Sequence, residues 1–314
     1  MRIGREITPD MLRVEDFLPD YERLFQNTED IGQDAFWTAE PYTAIPWMEA
    51  ILGCRVVSGE ESFVSKPWMA SLDDVESLEL DPDNPWLRKY LEFTDRLVEL
   101  SDGRFPVGMP IMRGPADVAG ALLGQAEMVL QLYDEEEAMR RFFLKIADIY
   151  SRIAAMQKER TPLFHGGETM GLYHLWTPGK CTWYQEDLST LLSPPMYDTF
   201  LREAERRICS GCDYTMIHLH PASFFILDQL LENDWLRAVQ VNKDVGGPSV
   251  VEMMPELRKI AEKKNLVLLL SDLTREELDC LRDELPPSGV FFFVTIADKT
   301  DAVRLLTEVR SWNG

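Results

Sequence analysis

From residue 102 onward, short apolar runs alternate with longer amphipathic segments along the chain. Short runs rich in Val, Ile, Phe and Tyr, bounded by turn residues, are typical of buried strands. This pattern predicts seven strands, at 105–112, 163–165, 182–187, 214–218, 238–242, 266–271 and 290–295. A weaker pattern predicts an eighth strand at 34–37 in the N-terminal third.

The longer segments carry helical periodicity and predict helices at 45–52, 135–160, 194–210, 250–264 and 274–285. Ser193 and Gly211 flank one of them as an N-cap and a C-terminal stop, the usual asymmetry of helix ends. This many alternating strands and helices favours a (βα)8 TIM barrel with an N-terminal helical cap. An open doubly wound sheet is the alternative, but its glycine fingerprint after a first strand is absent.

The length of 314 residues suits a single barrel with insertions, and the sequence contains neither a repeat of fixed period nor a long linker. We therefore predict one domain over 1–314. Within it, residues 1–33 form an N-terminal extension, 34–101 form the cap and the first βα unit, and 102–314 form the regular βα run.

The amino-acid composition and net charge limit the kinds of binding partner that the chain can have. The chain has 32 Lys and Arg against 54 Asp and Glu, a formal charge of −22, whereas nucleic-acid binding requires a basic face. Five scattered cysteines, an odd number, argue against a secreted disulfide scaffold. No apolar run is long enough to span a bilayer or act as a signal peptide. We expect a cytoplasmic protein that binds neither nucleic acid nor membranes.

In a barrel, catalytic groups lie at the carboxyl ends of the strands, where alternate residues point inward. Three consecutive predicted strands place seven side chains on the inner face: Trp183, Gln185, Asp187, His218, His220, Gln240 and Asn242. One interpretation is a hydrogen-bonded network around the rim. A functional site is favoured for the set as a whole, because each buried polar group left unpaired costs about 1 to 3 kcal/mol.

His218 and His220 are two residues apart and therefore lie on one face of the predicted strand. Two imidazoles on one face suit a metal such as zinc, iron or nickel. Asp187 is the candidate third ligand. The alternative is that both histidines act as acid/base groups or as donors to a substrate, because imidazole titrates near neutral pH.

Two further features are candidates for substrate binding. His165 and His174 flank a glycine-rich loop, which predicts either a mobile lid or a surface connection. Arg113 precedes a helix that begins at Pro115, a suitable place for a carboxylate or phosphate. Arg113 could equally pair with Asp117.

Three segments resemble one known family. They are 111–117 (IMRGPAD), 191–197 (LLSPPMY) and 217–220 (IHLH), and they resemble the uroporphyrinogen decarboxylase (URO-D) superfamily, which includes corrinoid-linked methyltransferases. The resemblance covers about residues 34–312 and is strongest to an uncharacterised branch. It implies a (βα)8 barrel with a single deep site at the carboxyl ends of its strands.

The chain departs from both characterised activities of that superfamily. The decarboxylases carry an arginine-rich segment that holds the substrate's carboxylates, whereas 34–53 contains no arginine. The zinc methyltransferases carry His-x-Cys where this chain has His218 and His220, and they have a cysteine near the last strand that 291–300 lacks.

The leading prediction is an enzyme that acts on a small polar or methylated metabolite by methyl transfer. His218, His220 and Asp187 would be metal ligands or acid/base groups, with zinc as the candidate cofactor. The predicted substrate-binding residues are Arg113, Trp183, Gln185, Gln240, Asn242, His165 and His174. A corrinoid protein is the candidate partner, and a homodimer is the candidate assembly.

Two alternatives remain open. One is uroporphyrinogen decarboxylase, a lyase of porphyrin biosynthesis, which requires a wide cationic cleft. The other is a non-catalytic binding protein of a methyl-transfer system, which would bind its ligand without consuming it.

Overall fold

The computed structural model describes residues 3–60 and 62–313 and has a mixed α/β architecture with a five-stranded parallel sheet and many helices. The strands are β1 Glu6–Ile7, β2 Arg55–Ser58, β3 Phe63–Lys66, β4 Glu168–Met170, β5 Leu175–Thr177, β6 Cys181–Gln185, β7 Tyr214–Leu219, β8 Ala238–Asn242, β9 Asn265–Leu270 and β10 Val290–Val294. Strands β1 to β3 form an antiparallel sheet, and β4 and β5 form a hairpin.

Helices fill most of the chain between the strands. They are α1 Leu18–Glu29, α2 Trp47–Ile51, α3 Pro85–Ser101, α4 Pro115–Leu123, α5 Gln125–Asp134, α6 Glu136–Lys158, α7 Pro194–Met196, α8 Arg202–Cys209, α9 Leu227–Leu231, α10 Val250–Lys263, α11 Arg275–Glu284 and α12 Lys299–Arg310. Over the described ranges, no helix combines the length and apolarity needed to cross a membrane.

The helix predictions in the second half of the chain are confirmed except for one. Ser249 and Thr274 each begin a helix with a reciprocal capping box, which fixes the starts of α10 and α11 where the sequence predicted them. The predicted helix 194–210 is interrupted, because Tyr197–Leu201 forms a π-helical segment between α7 and α8. That segment points the side chains of Tyr197 and Leu201 into the core.

The parallel sheet has the order β10-β9-β8-β7-β6 and determines the geometry of the site. In its register, Gln185 of β6 lies beside His218 of β7, and His218 lies beside Gln240 of β8. Partners in register share a face of the sheet. The carboxyl ends of β6, β7 and β8 therefore present their alternate side chains to the same place.

Five of the eight predicted strands are confirmed, as β6 to β10, and three are wrong. Segment 105–112 is extended but contains Pro106 and Pro110, which lack an N–H for a regular ladder, and it makes only isolated parallel bridges. Segment 163–165 turns at His165, and the strand begins later, at Glu168. At 34–37 there is no strand, and the only bridge nearby joins Ala39 to Val107.

Closure into an eight-stranded barrel is not confirmed. In the described parts of the chain, isolated parallel bridges join Ala39 to Val107, Met109 to Met170, and Arg113 to Gln185. In the same described parts, no β-ladder joins β10 to the segment around Ala39. We call this gap the seam.

At one place two backbone segments touch without an intervening side chain. A Cβ atom on Gly108 would lie 2.7 Å from the Cα of Gly171, closer than real Cβ atoms approach, and a Cβ atom on Gly171 would meet the carbonyl oxygen of Met109. Only glycine allows this approach. The contact holds the turn after β4 against the extended segment that contains Met109.

A continuous cluster of buried apolar side chains runs from Ile7 in the N-terminal extension to Leu281 in α11. A smaller cluster contains Trp37, Ala39, Leu97 and Phe105. The N-terminal segments therefore pack onto the same core as the βα units.

Candidate functional site

Six of the predicted polar residues converge at the carboxyl edge of the parallel sheet. Gln185 ends β6, and Asp187 begins the short 3-10 helix that follows it. The others lie on or immediately after β7 and β8: His218, His220, Gln240 and Asn242. We refer to Asp187, His218 and His220 as the His–Asp cluster.

His218 is buried, with 4% of its surface exposed, and contacts groups from three other segments. Its Nδ1 atom is hydrogen-bonded to the side-chain oxygen of Gln240 and lies 3.0 Å from the hydroxyl of Tyr173. Its Nε2 atom lies 3.8 Å from Oδ1 of Asp187. Burial lowers the pKa of His218, so its imidazole is neutral at pH 7.

His220 is less buried and is held by a carboxylate. Its Nδ1 atom lies 2.8 Å from Oδ1 of Asp244, and its Nε2 atom lies 3.6 Å from Oδ1 of Asp187. The rings of His218 and His220 are 4.7 Å apart and nearly perpendicular. Both Nε2 atoms therefore approach the same oxygen of Asp187.

The hydrogen bonds at Nδ1 determine the tautomer of each histidine. The carboxylate of Asp244 can only accept a hydrogen bond, so Nδ1 of His220 carries the proton. The amide nitrogen of Gln240 donates to Asn242 at 2.9 Å, which turns its oxygen toward His218, so Nδ1 of His218 is also the donor. In each ring Nε2 is therefore the nitrogen that can offer a lone pair to a cation.

The His–Asp cluster fits a divalent metal. One ligand atom from each residue lies within 4.8 Å of the others. Oδ1 of Asp187 is buried and has no hydrogen-bond partner in the described chain, whereas its other oxygen accepts from Gln185. Tetrahedral ligands placed about 2.0 to 2.1 Å from zinc lie about 3.3 Å apart, close to the two observed Nε2–Oδ1 distances. Carboxylate–histidine pairs such as Asp244–His220 commonly orient zinc ligands.

Two residues of the site were not predicted. Asp244 follows β8 and continues the alternation of Gln240 and Asn242 by one more step, a signal that could have identified it. Tyr173 lies in the turn between β4 and β5, is fully buried, and faces His218. No local pattern singles out Tyr173, because its place depends on the packing of the hairpin against β7.

Trp183 is fully buried beneath the site and does not form an open wall of it. Its indole N–H donates to the carbonyl of Met109 at 3.2 Å, and its ring packs edge-on against Tyr173 at 5.0 Å. Trp183 therefore supports Tyr173 from below and has no free polar atom for a substrate.

Arg113 pairs with Glu49 and not with Asp117, the partner that the sequence offered as the alternative to a substrate carboxylate. The Nη1 atom of Arg113 lies 2.6 Å from Oε1 of the fully buried Glu49. The negative charge of Glu49 raises the pKa of Arg113. Asp117 instead accepts from the backbone N–H of Leu188 at 2.7 Å. Because 37% of its side chain is exposed and its backbone is bridged to Gln185, Arg113 still presents donors beside the site.

The remaining two histidines lie away from the His–Asp cluster. His165 is exposed, with its ring against Phe164 and Phe36. The Nδ1 atom of His174 accepts the backbone N–H of Thr38 at 2.9 Å, and burial lowers its pKa to about 4. Strand β4 and the turn that leads into β5 lie between them, so the glycine-rich segment forms part of a hairpin.

Three carboxyl groups, those of Asp117, Glu186 and Glu205, are buried. The sequence pattern indicated Asp117 only as a candidate partner of Arg113 and did not indicate the other two. Burial and the charge of Asp187 raise the pKa of Asp117 to about 8, and burial raises that of Glu205 to about 7. Glu186 accepts from the first turn of α4, at the N–H of Ala116, and burial raises its pKa as well. The raised pKa values favour the protonated, uncharged form of these groups, so they add little negative charge around the cluster.

No family model matches the chain, and no curated protein sequence matches it. Among solved structures, the chain is similar to a methyltransferase from Methanosarcina mazei, with a TM-score of 0.66 and 15% sequence identity. The similarity covers 96% of this chain and 87% of the methyltransferase chain. At this level of identity the comparison shows a related fold alone.

Proposed function

We propose that the chain is a zinc-dependent enzyme that transfers a methyl group to or from a small polar metabolite at the carboxyl edge of its parallel sheet. The observation that carries the proposal is the His–Asp cluster, in which two histidine lone pairs and one unpaired carboxylate oxygen converge. The methyltransferase among similar folds supports the reaction class.

Each residue has a role that follows from its contacts. Asp187, His218 and His220 would hold the zinc ion, which when bound supplies a Lewis acid that polarises a substrate atom. Asp244 and Gln240 hold the two imidazoles in the required tautomer.

Around these ligands, other side chains suit substrate binding. Arg113 would bind a substrate carboxylate with the donors that Glu49 leaves free. Gln185 keeps the second oxygen of Asp187 hydrogen-bonded, and Asn242 is the outermost amide of the row that begins at Gln240. A corrinoid protein is the partner we propose as methyl donor or acceptor.

We extend the proposal to the fold, as a (βα)8 arrangement with an N-terminal cap. Three isolated bridges are parallel, and they join the extended segment 107–113 to Ala39, to Met170 and to Gln185 of the edge strand β6. They therefore extend the parallel sheet beyond β6, as closure into a barrel requires. Across the seam, the ring of Phe293 in β10 lies 5.3 Å from that of His174.

Uroporphyrinogen decarboxylation is disfavoured. That substrate carries many carboxylates, and the guanidinium beside this site, Arg113, is already paired with Glu49. The two histidines of the cluster are also held by the carboxyl groups of Asp187 and Asp244. A polyanion would be repelled there.

Zinc binding tests the proposal directly. We expect calorimetry and elemental analysis to detect one zinc ion per wild-type chain, and His218→Ala and His220→Ala to weaken binding by more than about 100-fold, beyond the loss typical of an outer partner. His165→Ala, which removes an exposed histidine outside the cluster, is the matched control and should bind as wild type does. Unchanged zinc affinity in both cluster variants would refute the metal site.

Methyl transfer is then followed through the visible spectrum of a corrinoid mixed with methylated amines, thiols or carboxylates. The zinc-loaded wild type should methylate or demethylate the corrinoid with at least one of them, and His218→Ala should not. Zinc binding without any turnover would favour the non-catalytic alternative, and turnover of uroporphyrinogen would favour the decarboxylase.

A further inference from the structure

The residues on either side of Asp187 are held by the first turn of α4. Oε2 of Glu186 accepts the backbone N–H of Ala116 at 3.0 Å. In the opposite direction, Oδ1 of Asp117 accepts the backbone N–H of Leu188 at 2.7 Å, in the short 3-10 helix that begins at Asp187. Each segment therefore satisfies an N–H group that the start of the other's helix leaves without an internal partner.

Two glycines make room for this exchange of hydrogen bonds. A Cβ atom on Gly114, just before α4, would lie 2.2 Å from Oε1 of Glu186, and one on Gly120 would lie 2.3 Å from Cδ1 of Leu188. The φ of Gly114 is −82°, a value open to any residue, so its lack of a side chain is what the packing requires. Gly120 is inside α4, although glycine is among the poorest helix formers. We call Gly114, Asp117 and Gly120 the α4 clamp.

Backbone hydrogen bonds fix the chain just before it reaches the α4 clamp. The N–H of Gln185 donates to the carbonyl of Met112 at 3.1 Å, and the N–H of Gly114 donates to the carbonyl of Gln185 at 2.7 Å. Beyond this point, the side chain of Asp187 is restrained at Oδ2 by Gln185, while its buried Oδ1 atom has no hydrogen-bond partner in the described chain. The direction of Oδ1 therefore depends on how firmly the backbone at 187–188 is held.

We propose that Asp117 is a positioning residue for Asp187, which it keeps directed at the two histidine Nε2 atoms by holding the backbone of Leu188. The inference rests on the metal site of the proposed function. Oδ1 of Asp187 lies 3.8 Å and 3.6 Å from those Nε2 atoms. Because a metal site tolerates ligand displacements of only about 0.2 Å, a small shift of this backbone would remove one ligand from its place.

Zinc affinity, measured by competition with a chelating dye, tests the role of the Asp117 oxygen. Asp117→Ala removes the acceptor that holds Leu188, and we expect zinc affinity to fall at least about tenfold, as for the outer partners of other metal ligands. Asp117→Asn keeps an acceptor oxygen and should bind zinc as the wild type does. Thr274→Ala, which removes the side-chain cap at the start of α11, is the matched control and should leave zinc affinity unchanged.

Cobalt(II) bound in place of zinc distinguishes positioning from a general loss of stability. Its visible absorption depends on the number and geometry of its ligands, so the spectrum reports on the carboxylate of Asp187. Asp117→Ala should change the spectrum, whereas Asp117→Asn and Thr274→Ala should reproduce that of the wild type. Circular dichroism checks that each variant is folded.

Gly114→Ala displaces the same segment by another route and decides the question if Asp117→Ala does not fold. Its added methyl group would meet the carboxyl group of Glu186 and push it away from the start of α4. We therefore expect this variant also to bind zinc more weakly and to change the cobalt spectrum.

A wild-type chain that binds no zinc would refute the proposed metal site and this inference with it. Where the wild type binds zinc and His218→Ala weakens that binding, either of two results would overturn the inference alone. One is wild-type zinc affinity and an unchanged cobalt spectrum in folded Asp117→Ala or, if that variant does not fold, in Gly114→Ala. The other is an equal loss of zinc affinity in Asp117→Asn and Asp117→Ala, because the asparagine retains the acceptor.

Discussion

Asp244 controls the orientation of His220 and illustrates how single residues tune the candidate site. Its carboxylate holds Nδ1 of His220, so the ring cannot rotate to turn its free nitrogen away from Asp187. His218 is held in the same way by the neutral amide of Gln240. Because a carboxylate accepts a stronger hydrogen bond than an amide does, the ring of His220 is held more firmly at Nδ1 than the ring of His218.

We predict that Asp244→Asn weakens zinc binding about 10- to 100-fold, the range for the outer partner of a ligating histidine. Competition with a chelating dye would measure the loss. Asp301→Asn removes an exposed carboxylate that pairs with Arg304 and serves as the control. If Asp244→Asn bound zinc as tightly as the control, His220 would not be a ligand.

Strand alternation alone was sufficient to predict Gln185, His218 and Gln240 as neighbours, because the period of two is a property of the strand itself. The same reasoning could not predict the partner of Arg113. Glu49 lies 64 residues earlier in the chain, and its approach depends on how α2 packs. Pairings of this kind are set by tertiary contacts that leave no local periodicity.

At the scale of elements, α8 combines a buried carboxyl with a strongly charged outer face. Glu205 is fully buried on the inner side of this helix and accepts a hydrogen bond from Tyr197 at 2.6 Å. Burial raises the pKa of Glu205 to about 7, although that hydrogen bond lowers it. The unfolded chain ionises this group at a lower pH, so the folded state loses stability as the pH rises from about 4.5 toward 7.

Glu205→Gln should therefore stabilise the protein at alkaline pH. The glutamine amide still accepts a hydrogen bond from Tyr197 but cannot ionise. We therefore expect the variant to be more stable than the wild type, and we expect this difference in the free energy of unfolding to be about 2 kcal/mol larger at pH 8 than at pH 5. Urea unfolding at the two pH values measures the difference. Glu262→Gln, an exposed change on α10, provides the baseline, and an equal effect of both substitutions would contradict the prediction.

Helices and strands were predicted best where helix-capping residues or β-branched residues dominate. They were predicted worst where prolines interrupt an extended segment. Ser249 and Thr274 fixed the starts of α10 and α11 through their own side chains. At 105–112 the apolar content was typical of a strand, but Pro106 and Pro110 left the segment extended without a ladder.

For the whole molecule, the seam makes the C-terminal unit the least tightly held part of the sheet. All five residues of β10 are only partly buried, and α12 has no fully buried residue in the described chain. Ion pairs tie α12 to the N-terminal segment, between Lys299 and Asp30 and between Arg310 and Asp34. Exposed pairs of this kind contribute about 0 to 1 kcal/mol each, so the unit should open before the central strands do.

Hydrogen exchange tests this order of opening. Amides of β10 and α12 should exchange at least about tenfold faster than those of β8, which lies between two hydrogen-bonded neighbours. Mass spectrometry of peptides covering 238–242 and 290–310 resolves the two regions. Equal protection would mean that β10 is paired on both edges in solution, as a closed barrel requires.

The contact between Gly108 and Gly171 bears on how relatives of this protein could be recognised. A side chain gained at either position would collide with the backbone of the other segment, whatever reaction the molecule performs. Residues at the carboxyl edge are free to diverge as substrates change, whereas this pair can change only if both segments rearrange together. The two glycines should therefore trace common descent across members that have exchanged their catalytic residues.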